Sequence, residues 1–360
     1  MKTNSKNRNN FLLILFLTIL TVNVNGQKIE TQFNGFGHLE FHFDYSDAAN
    51  AYFAIGEHDF FVNSQLTKRI SFLGEYVIRF NGKSATSFLP SIERSLLKFN
   101  YYKNHNLIVG KIHTPVNYWN DTYHHGRLFF PTIDRPLAFS YIIPLHTLGL
   151  QMQGQNLGKW NFGYDLVAGN GINSNDGANQ GINLSYTAAV HIKPIENFRL
   201  GLSHFYEKTN SHNPGTHSGH STTYPHYEGE IYTGPMTLNL TSASLSYFGN
   251  RFELLNETSY NRTFTDSLGA ANNWSNFTYL GYRLTDNSIP YVVADFIKIA
   301  ENDLFVHPFD LFKLAIGYRH EFSHLLSLKA QAEYLTSLHQ HQGHSHPPRF
   351  AFRIQFAYGF

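Results

Sequence analysis

The sequence predicts an all-β protein, a transmembrane antiparallel up-and-down β-barrel of about 16 strands. Three observations predict it. Segments of roughly ten residues alternate between apolar and polar side chains along most of the chain. Aromatic residues, mainly Phe and Tyr, make up 16% of the chain, as a lipid-facing band with aromatic girdles requires. Mean hydropathy is slightly negative, which excludes a helical membrane protein but fits a barrel whose polar lumen offsets its apolar exterior.

Residues 1–26 have the features of a secretory signal peptide. Lys2, Lys6 and Arg8 form a basic start, and an apolar run over residues 11–20 follows. The run is shorter than a membrane-spanning helix needs. We expect cleavage near Gly26, which leaves residues 27–360 as one transmembrane β-barrel domain. The chain contains no Cys, so neither a disulfide framework nor a lipid-anchored Cys is expected.

The final segment, residues 349–360, shows the alternation most clearly. One parity is wholly apolar and consists of Phe350, Phe352, Ile354, Phe356, Tyr358 and Phe360. The other parity holds Arg349, Arg353, Gln355 and small residues. Because successive side chains point to opposite faces of a strand, the apolar parity is predicted to face lipid and the other the lumen. A last core strand of a soluble sandwich is the alternative.

The connections between predicted strands alternate in length. Short turns are predicted at 67–69, 103–106, 156–158, 194–197, 249–251, 286–288 and 323–325, and the intervening connections are mostly longer. A strand is predicted to begin near Trp160, and residues 222–248 are treated as one strand. This arrangement gives an even strand count with both termini on one side of the membrane, as in outer-membrane barrels.

The longest connection, residues 115–147, contains four prolines and cannot be a continuous strand. Residues 110–121, with the sequence GKIHTPVNYWND, lie at the end of a predicted strand. Together with the alternating apolar and polar strand segments and the terminal Phe, this stretch resembles porins of Gram-negative bacteria, including the group related to phosphate-selective porins. Over the whole mature chain the resemblance lies in the alternating strand pattern, and only in this stretch does it extend to the sequence itself.

The resemblance implies an outer-membrane location in a Gram-negative bacterium, contact with lipid and lipopolysaccharide, and assembly by machinery that recognises a terminal aromatic residue. It also implies passive diffusion of small hydrophilic solutes or ions, with loop 115–147 folded into the lumen. The pore constriction is then expected from Asn117, Asn120, Asp121, His124, His125, Arg127, Asp134 and Arg135. A loop that covers the mouth from outside is the alternative. A homotrimer is compatible with the chain, whose sequence leaves the oligomeric state open.

The polar parities of the first five strands give a set of predicted lumen-lining residues. They are His38, Glu40, His42, Asp44, Glu75, Arg79, Arg94, Lys98, Lys111 and His113. Acidic and basic residues are mixed here, whereas phosphate selectivity would require a ladder of Arg and Lys. The formal charge of +1 provides no basic surface for nucleic acid, so no nucleic-acid partner is expected.

Histidine is unusually abundant, with 21 residues. Two loops concentrate it, and their candidate metal ligands are His212, His217, His220, His339, His341, His344 and His346. Imidazole binds Zn²⁺, Cu²⁺ and Ni²⁺, so uptake of divalent transition metals is an alternative function. The alternative is that these loop histidines are solvated and bind no metal. Apart from such a metal, no cofactor is expected.

A hydrolase at the barrel rim is the third hypothesis. Ser, His and Asp are abundant, so their occurrence together says little. The sequence contains no recognisable nucleophile elbow, and we assign no catalytic residues. We therefore expect a channel rather than an enzyme.

Overall fold

The structure is a computed structural model that describes residues 29–45, 50–80, 88–124, 126–172, 184–212, 232–306, 308–338 and 348–360. The predicted signal peptide lies outside these residues, as do His125 and the histidines of the two His-rich loops other than His212, which is described by its backbone alone.

Sixteen antiparallel strands form a closed barrel, in which each strand pairs with its neighbours in sequence and β1 pairs with β16. The strands are β1 (Glu30–Asp44), β2 (Asn50–Gln65), β3 (Ile70–Phe80), β4 (Phe88–Tyr102), β5 (His105–His113), β6 (His146–Leu157), β7 (Phe162–Asn170), β8 (Leu184–Ile192), β9 (Phe198–His212), β10 (Tyr232–Phe248), β11 (Phe252–Thr265), β12 (Gly269–Tyr282), β13 (Ser288–Lys298), β14 (Asp310–Ser323), β15 (Leu326–Ser337) and β16 (Arg349–Gly359). The predicted fold class and strand number are confirmed.

The short connections lie where the sequence predicts them, with small shifts. Gly158 and Asn197 have φ angles of 63° and 61°, the left-handed conformation that tight turns require. The strand predicted to begin at Trp160 begins instead at Phe162, because residues 158–161 form the turn. The described part of the segment predicted over 222–248 is β10, which begins at Tyr232.

Alternation sets which side chains face outward. In β16, Phe350 is 57% exposed on the outer face, whereas Gln355 and Ala357 are fully buried on the inner face. The exterior is therefore apolar here and the interior polar or small, as predicted.

The inner face is not polar all round the barrel. On β10 to β13 it carries Leu238, Leu240, Leu255, Phe277, Tyr279, Tyr291, Val293 and Ile297, all nearly inaccessible. These residues form one apolar core with side chains of the segment between β5 and β6. The expectation of a hydrophilic inner wall is wrong on this side, because the wall packs against protein rather than water.

The segment between β5 and β6, called here the internal segment (residues 114–145), contains two one-turn helices, Tyr118–Thr122 and Leu137–Tyr141. No helix among the described residues is long and apolar enough to cross a membrane.

Candidate functional site: the segment inside the barrel

The internal segment contacts the wall opposite the strands that carry it. The backbone N–H of Trp119 donates to Glu257 Oε1 on β11 at 3.0 Å, and that of Leu137 donates to Asp295 Oδ2 on β13 at 2.8 Å. Both carboxylates lie on the inner parity of their strands and are buried. Since β11 and β13 lie across the ring from β5 and β6, the segment lies against the inner wall of the barrel.

Apolar packing holds the segment on that wall. Trp119 is fully buried, and its ring centroid lies 5.3 Å from that of Phe277 on β12 and 4.9 Å from that of Phe130 in the segment. Leu137 and Phe139 of the second helix belong to the same core. Each buried aromatic side chain of this kind contributes on the order of 2–3 kcal/mol by removal of apolar area from water.

Ion pairs fix the other end of the segment. Asp134 pairs with Arg353 on β16, and its Oδ2 accepts from Gln331 Nε2 on β15 at 2.9 Å. Arg135 donates through Nη2 to Glu57 Oε2 on β2 at 2.7 Å. Burial lowers the pKa of Arg135, as does the charge of Arg127, and the Glu57 carboxylate only partly restores it, so that the value is about 10.

Burial also acts on Asp134, where it raises the pKa, but attraction to Arg353 and other nearby cations outweighs it. The net result is a pKa of about 2, below the ordinary value of 3.8. Asp134 therefore remains ionised at all ordinary pH values and keeps its charge for the pairing with Arg353.

Most of the predicted constriction residues that the structure describes are buried and hydrogen-bonded within the segment or to the wall. Asn117 caps the first helix, with its Oδ1 accepting from the Asn120 N–H at 2.9 Å, and it has a φ of 57°. Asn120 is fully buried and donates to the carbonyls of Thr114 at 2.7 Å and Leu145 at 3.1 Å, which joins the two ends of the segment. Buried positions are also occupied by His124, Arg127, Asp134 and Arg135.

Asp121 is the exception. Its side chain is 36% exposed, and it accepts from Arg199 Nη2 on β9 at 2.9 Å. The Arg199 guanidinium also lies over the Tyr118 ring, 5.0 Å from its centroid. The Tyr118 ring itself packs against the apolar core, so the ion pair lies at the edge of that core.

The predicted lumen-lining residues form paired clusters. Glu40 joins His38 and His42 through contacts of 3.3 and 2.7 Å to their Nε2 atoms. Arg79 lies between Glu57 and Glu93, at 3.2 and 2.7 Å.

Further ion pairs join Asp44 to Arg349 and Glu75 to Arg94. Lys98 is half-buried. Lys111 shares the parity of the exposed Val109, and its Nζ donates to the Ile92 carbonyl at 2.7 Å, while Ile108 and Ile112 occupy the buried parity.

Several residues that hold the site were not singled out from the sequence. Glu257 and Asp295 accept from the segment's backbone, and Lys329 Nζ donates to the Arg127 carbonyl at 2.5 Å. Arg319 binds Glu253 through two hydrogen bonds of 2.9 Å. The alternation within β11, β13, β14 and β15 was the available signal, since all of these residues lie on the inner parity of their strands.

A cavity of about 480 Å³ lies between the internal segment and the ends of β11 to β15 that carry the short turns. Its lining includes Tyr123, Phe129, Arg283, Arg319 and Glu321. Arg283, Arg319 and Glu321 therefore bring charges of both signs to this cavity.

One group of side chains could hold a metal ion among the residues that the structure describes. It consists of His113, His124 and His146, whose candidate ligand atoms lie within 4.8 Å of one another. The loop histidines predicted as ligands lie outside the described residues, apart from the backbone of His212.

No family model and no curated protein matches the sequence. Solved structures do match. The anion-selective porin from Comamonas acidovorans is 9% identical and covers 92% of this chain and 100% of its own, with a TM-score of 0.66. In-vitro folded OmpT of Vibrio cholerae, in a trimer form, is 12% identical over 93% of this chain and 100% of its own, with a TM-score of 0.63. The outer membrane channel DcaP of Acinetobacter baumannii is 11% identical over 93% and 99%, with a TM-score of 0.59. The chain therefore shares the barrel fold of outer-membrane porins and channels.

Proposed function

We propose that the protein is an outer-membrane channel for passive diffusion of small hydrophilic solutes and ions. The observation that carries the proposal is the closed ring of strands that encloses an internal segment. Lipid-facing strands seal the ring, and the segment occupies part of what would otherwise be a wide aqueous tube. The mechanism requires no chemical step. Signal-peptide removal, assembly by the barrel machinery and contact with lipopolysaccharide belong to this proposal.

We infer that solutes pass along β4 to β9. The apolar core of the internal segment covers the inner face of β10 to β14 and reaches Phe205 on β9 and Leu335 on β15. Its ion pairs reach β16 and β2, so the remaining space lies along the other strands and the exposed part of β9. Arg94, Lys98, Asp121 and Arg199 retain partial exposure there. Opposite charges face one another from the segment and the wall, which favours a transverse field across the passage over selection of one ion sign.

Planar-bilayer recordings test this proposal. The folded protein should give stepwise conductance. Because Arg199 and Asp121 line the inferred passage, Arg199→Gln should shift the reversal potential in a salt gradient toward cation preference, and Asp121→Asn should shift it toward anion preference. Lys68→Gln, in an exposed turn, is the matched charge control and should shift nothing. Folded protein without conductance would refute the channel. Equal shifts of the reversal potential in all three variants would refute the passage along β4 to β9.

We further propose that copies of the chain associate through the outer face of β9 to β12. This face is polar midway along the strands. His204 Nδ1 and Thr241 Oγ1 are 2.9 Å apart, and Asn256 Nδ2 and Asn276 Nδ2 donate at 2.8 Å to Thr278 and Thr258 on the neighbouring strands.

Amide and hydroxyl groups at this depth are costly against acyl chains, where no water hydrates their remaining donors and acceptors. A second copy of the chain with the same face would satisfy those groups by isologous or ring-forming contacts. The trimer form in which OmpT of Vibrio cholerae has been solved supports a homotrimer as the assembly.

A further inference from the structure

Three histidines from separate parts of the chain meet where the internal segment leaves and rejoins the wall. His113 ends β5, His146 begins β6, and the two are direct partners in the strand register. His124 comes from the segment itself and is 1% exposed. The ring centroids of His113 and His124 lie 3.7 Å apart, and those of His124 and His146 lie 4.7 Å apart.

The protonation of His124 follows from its neighbour. The Asn120 amide nitrogen donates to the backbone carbonyls of Thr114 and Leu145, so the amide cannot be flipped. Its Oδ1 must then accept from His124 Nδ1–H, at 2.6 Å. In the neutral ring the lone pair is consequently on Nε2, and the ring orientation is held as a metal-ligating histidine requires.

Carboxylates adjoin the other two rings. Glu93 Oε2 lies 2.9 Å from His146 Nε2, and Glu75 Oε2 lies 3.6 Å from His113 Nε2. Both carboxylates are nearly inaccessible to solvent. Glu93 is the extra residue of a bulge between β3 and β4, which adds it to the inner side beside Arg94. Such carboxylates orient ligating imidazoles and offset the charge of a bound cation, and either could supply a fourth ligand.

We propose that His113, His124 and His146 bind one divalent transition metal ion. Three imidazoles with adjacent carboxylates suit Zn²⁺, Cu²⁺ or Ni²⁺, whereas Mg²⁺ and Ca²⁺ require oxygen ligands. Tetrahedral Zn²⁺, at about 2.0–2.1 Å from each nitrogen, needs nitrogens about 3.4 Å apart. With His124 held by Asn120, rotation of the His113 and His146 rings about their side-chain torsions would bring the ligand atoms from within 4.8 Å to that spacing.

The proposal goes beyond passive diffusion, because one metal ion would join the internal segment to both strands that flank it. Loss of the ion would remove this link between His124 and the two strands, and the hydrogen bonds of Asn120 and the apolar core on the far wall would remain.

Zinc titration by calorimetry tests the site without reference to conductance. The background variant has His212, His217, His220, His226, His339, His341, His344 and His346 replaced by Asn, which removes the loop ligands. We expect one Zn²⁺ per folded chain. His124→Gln and His146→Gln should each weaken binding by more than the roughly 10–100-fold typical of lost outer-shell partners. The control His191→Gln, an inward histidine on β8, should retain it.

Co²⁺ provides the second measurement. The background variant should show the visible absorption of cobalt with nitrogen ligands, and His124→Gln should lose it. No zinc binding by the folded background variant would overturn the proposal. So would unchanged affinity in both substituted proteins, or an equal loss in His191→Gln, which would indicate general destabilisation.

Discussion

Glu257 holds the start of the internal segment with one carboxylate oxygen, which accepts the N–H groups of Tyr118 and Trp119 at 2.5 and 3.0 Å. Hydrogen bonds of this kind contribute about 0.5–1.5 kcal/mol each to stability. Single buried carboxylates on the wall thus position the segment at several points, with Asp295 and Glu57 acting in the same way.

Asp134 should make the stability of the protein depend on acid. Its folded pKa is about 2, lowered from 3.8, so the ion pair with Arg353 stabilises fully above about pH 4 and is lost as pH falls toward 2. Asp134→Asn should be less stable at neutral pH and should lack this part of the acid dependence. The measurement is the urea midpoint of both proteins between pH 7 and 2.

The difference between wild type and Asp134→Asn isolates this group from other titrating carboxylates. Asp286→Asn, at an exposed turn, is the control and should follow the wild-type profile. A constant difference from pH 5 to pH 2 would contradict the assigned role of Asp134.

The residue scale is also where sequence reasoning was weakest. It named Asn120, Asp134 and Arg135 as residues of a water-filled constriction. They are buried because their partners lie far along the chain: Arg353 is 219 positions from Asp134. A polar residue in a long loop looks the same in sequence whether it faces water or a distant buried charge.

At the scale of elements, the internal segment behaves as a small layer folded on the inner wall. Its two helices are each five residues long and too short to be stable alone. Burial of Trp119, Leu137 and Phe139 against β11 to β13 supplies the stabilisation that the helices lack. Packing therefore positions the segment together with its hydrogen bonds and ion pairs to the wall.

Trp119→Ala should detach this layer. Truncation of a fully buried Trp costs about 3–5 kcal/mol, and we expect the segment to move off the wall while the barrel remains closed. Single-channel recordings should then show altered conductance with more frequent fluctuations. Phe129→Ala removes a ring from the same segment that is 58% exposed, and it should leave both quantities near the wild-type values. Unchanged recordings from folded Trp119→Ala would show that the segment does not limit the passage.

The alternation of apolar and polar residues predicted the strands well, but it predicted less well which side chains of each strand point into the barrel. In β16 the large aromatic side chains identified the outer parity, because only that parity was apolar. In β5 both parities carry apolar residues, and Ile108 and Ile112 proved to be the buried ones rather than Lys111. The period of two shows that neighbouring side chains face opposite ways, but it does not show which way is in.

At the scale of the whole molecule, the alternation of short and long connections, with residues 222–248 treated as one strand, predicted about sixteen strands and both termini on one side of the membrane. The register of β1 with β16 closes the ring, for instance through Phe43 opposite Phe352. What the sequence could not reveal was the apolar inner wall on one side and the polar band midway along the outer face of β9 to β12. The internal segment covers the first, and a second copy is the partner that we propose for the second.

The polar outer face predicts how copies associate. The double variant Asn256→Leu with Asn276→Leu should convert an oligomer to monomers, because it removes the interstrand amide ladder that a second copy would cover. Mass measurement of the protein in detergent checks this result. Thr31→Leu with Ser64→Leu, a hydrogen-bonded pair on the outer face of β1 and β2, is the control and should leave the mass unchanged. A monomeric wild type, or an intact oligomer in the first variant, would refute the interface.

The bonds from the internal segment to the last strands carry a consequence for biogenesis. Arg127 and Asp134 precede their partners Lys329 and Arg353 by 202 and 219 positions. A cylinder that had already sealed at β1 and β16 would leave no lateral way in for a segment of this length. We therefore expect pairing of β1 with β16 to be coupled to the seating of the internal segment against β15 and β16. Contacts between such distant parts of the chain form slowly, so we expect both to come late in folding.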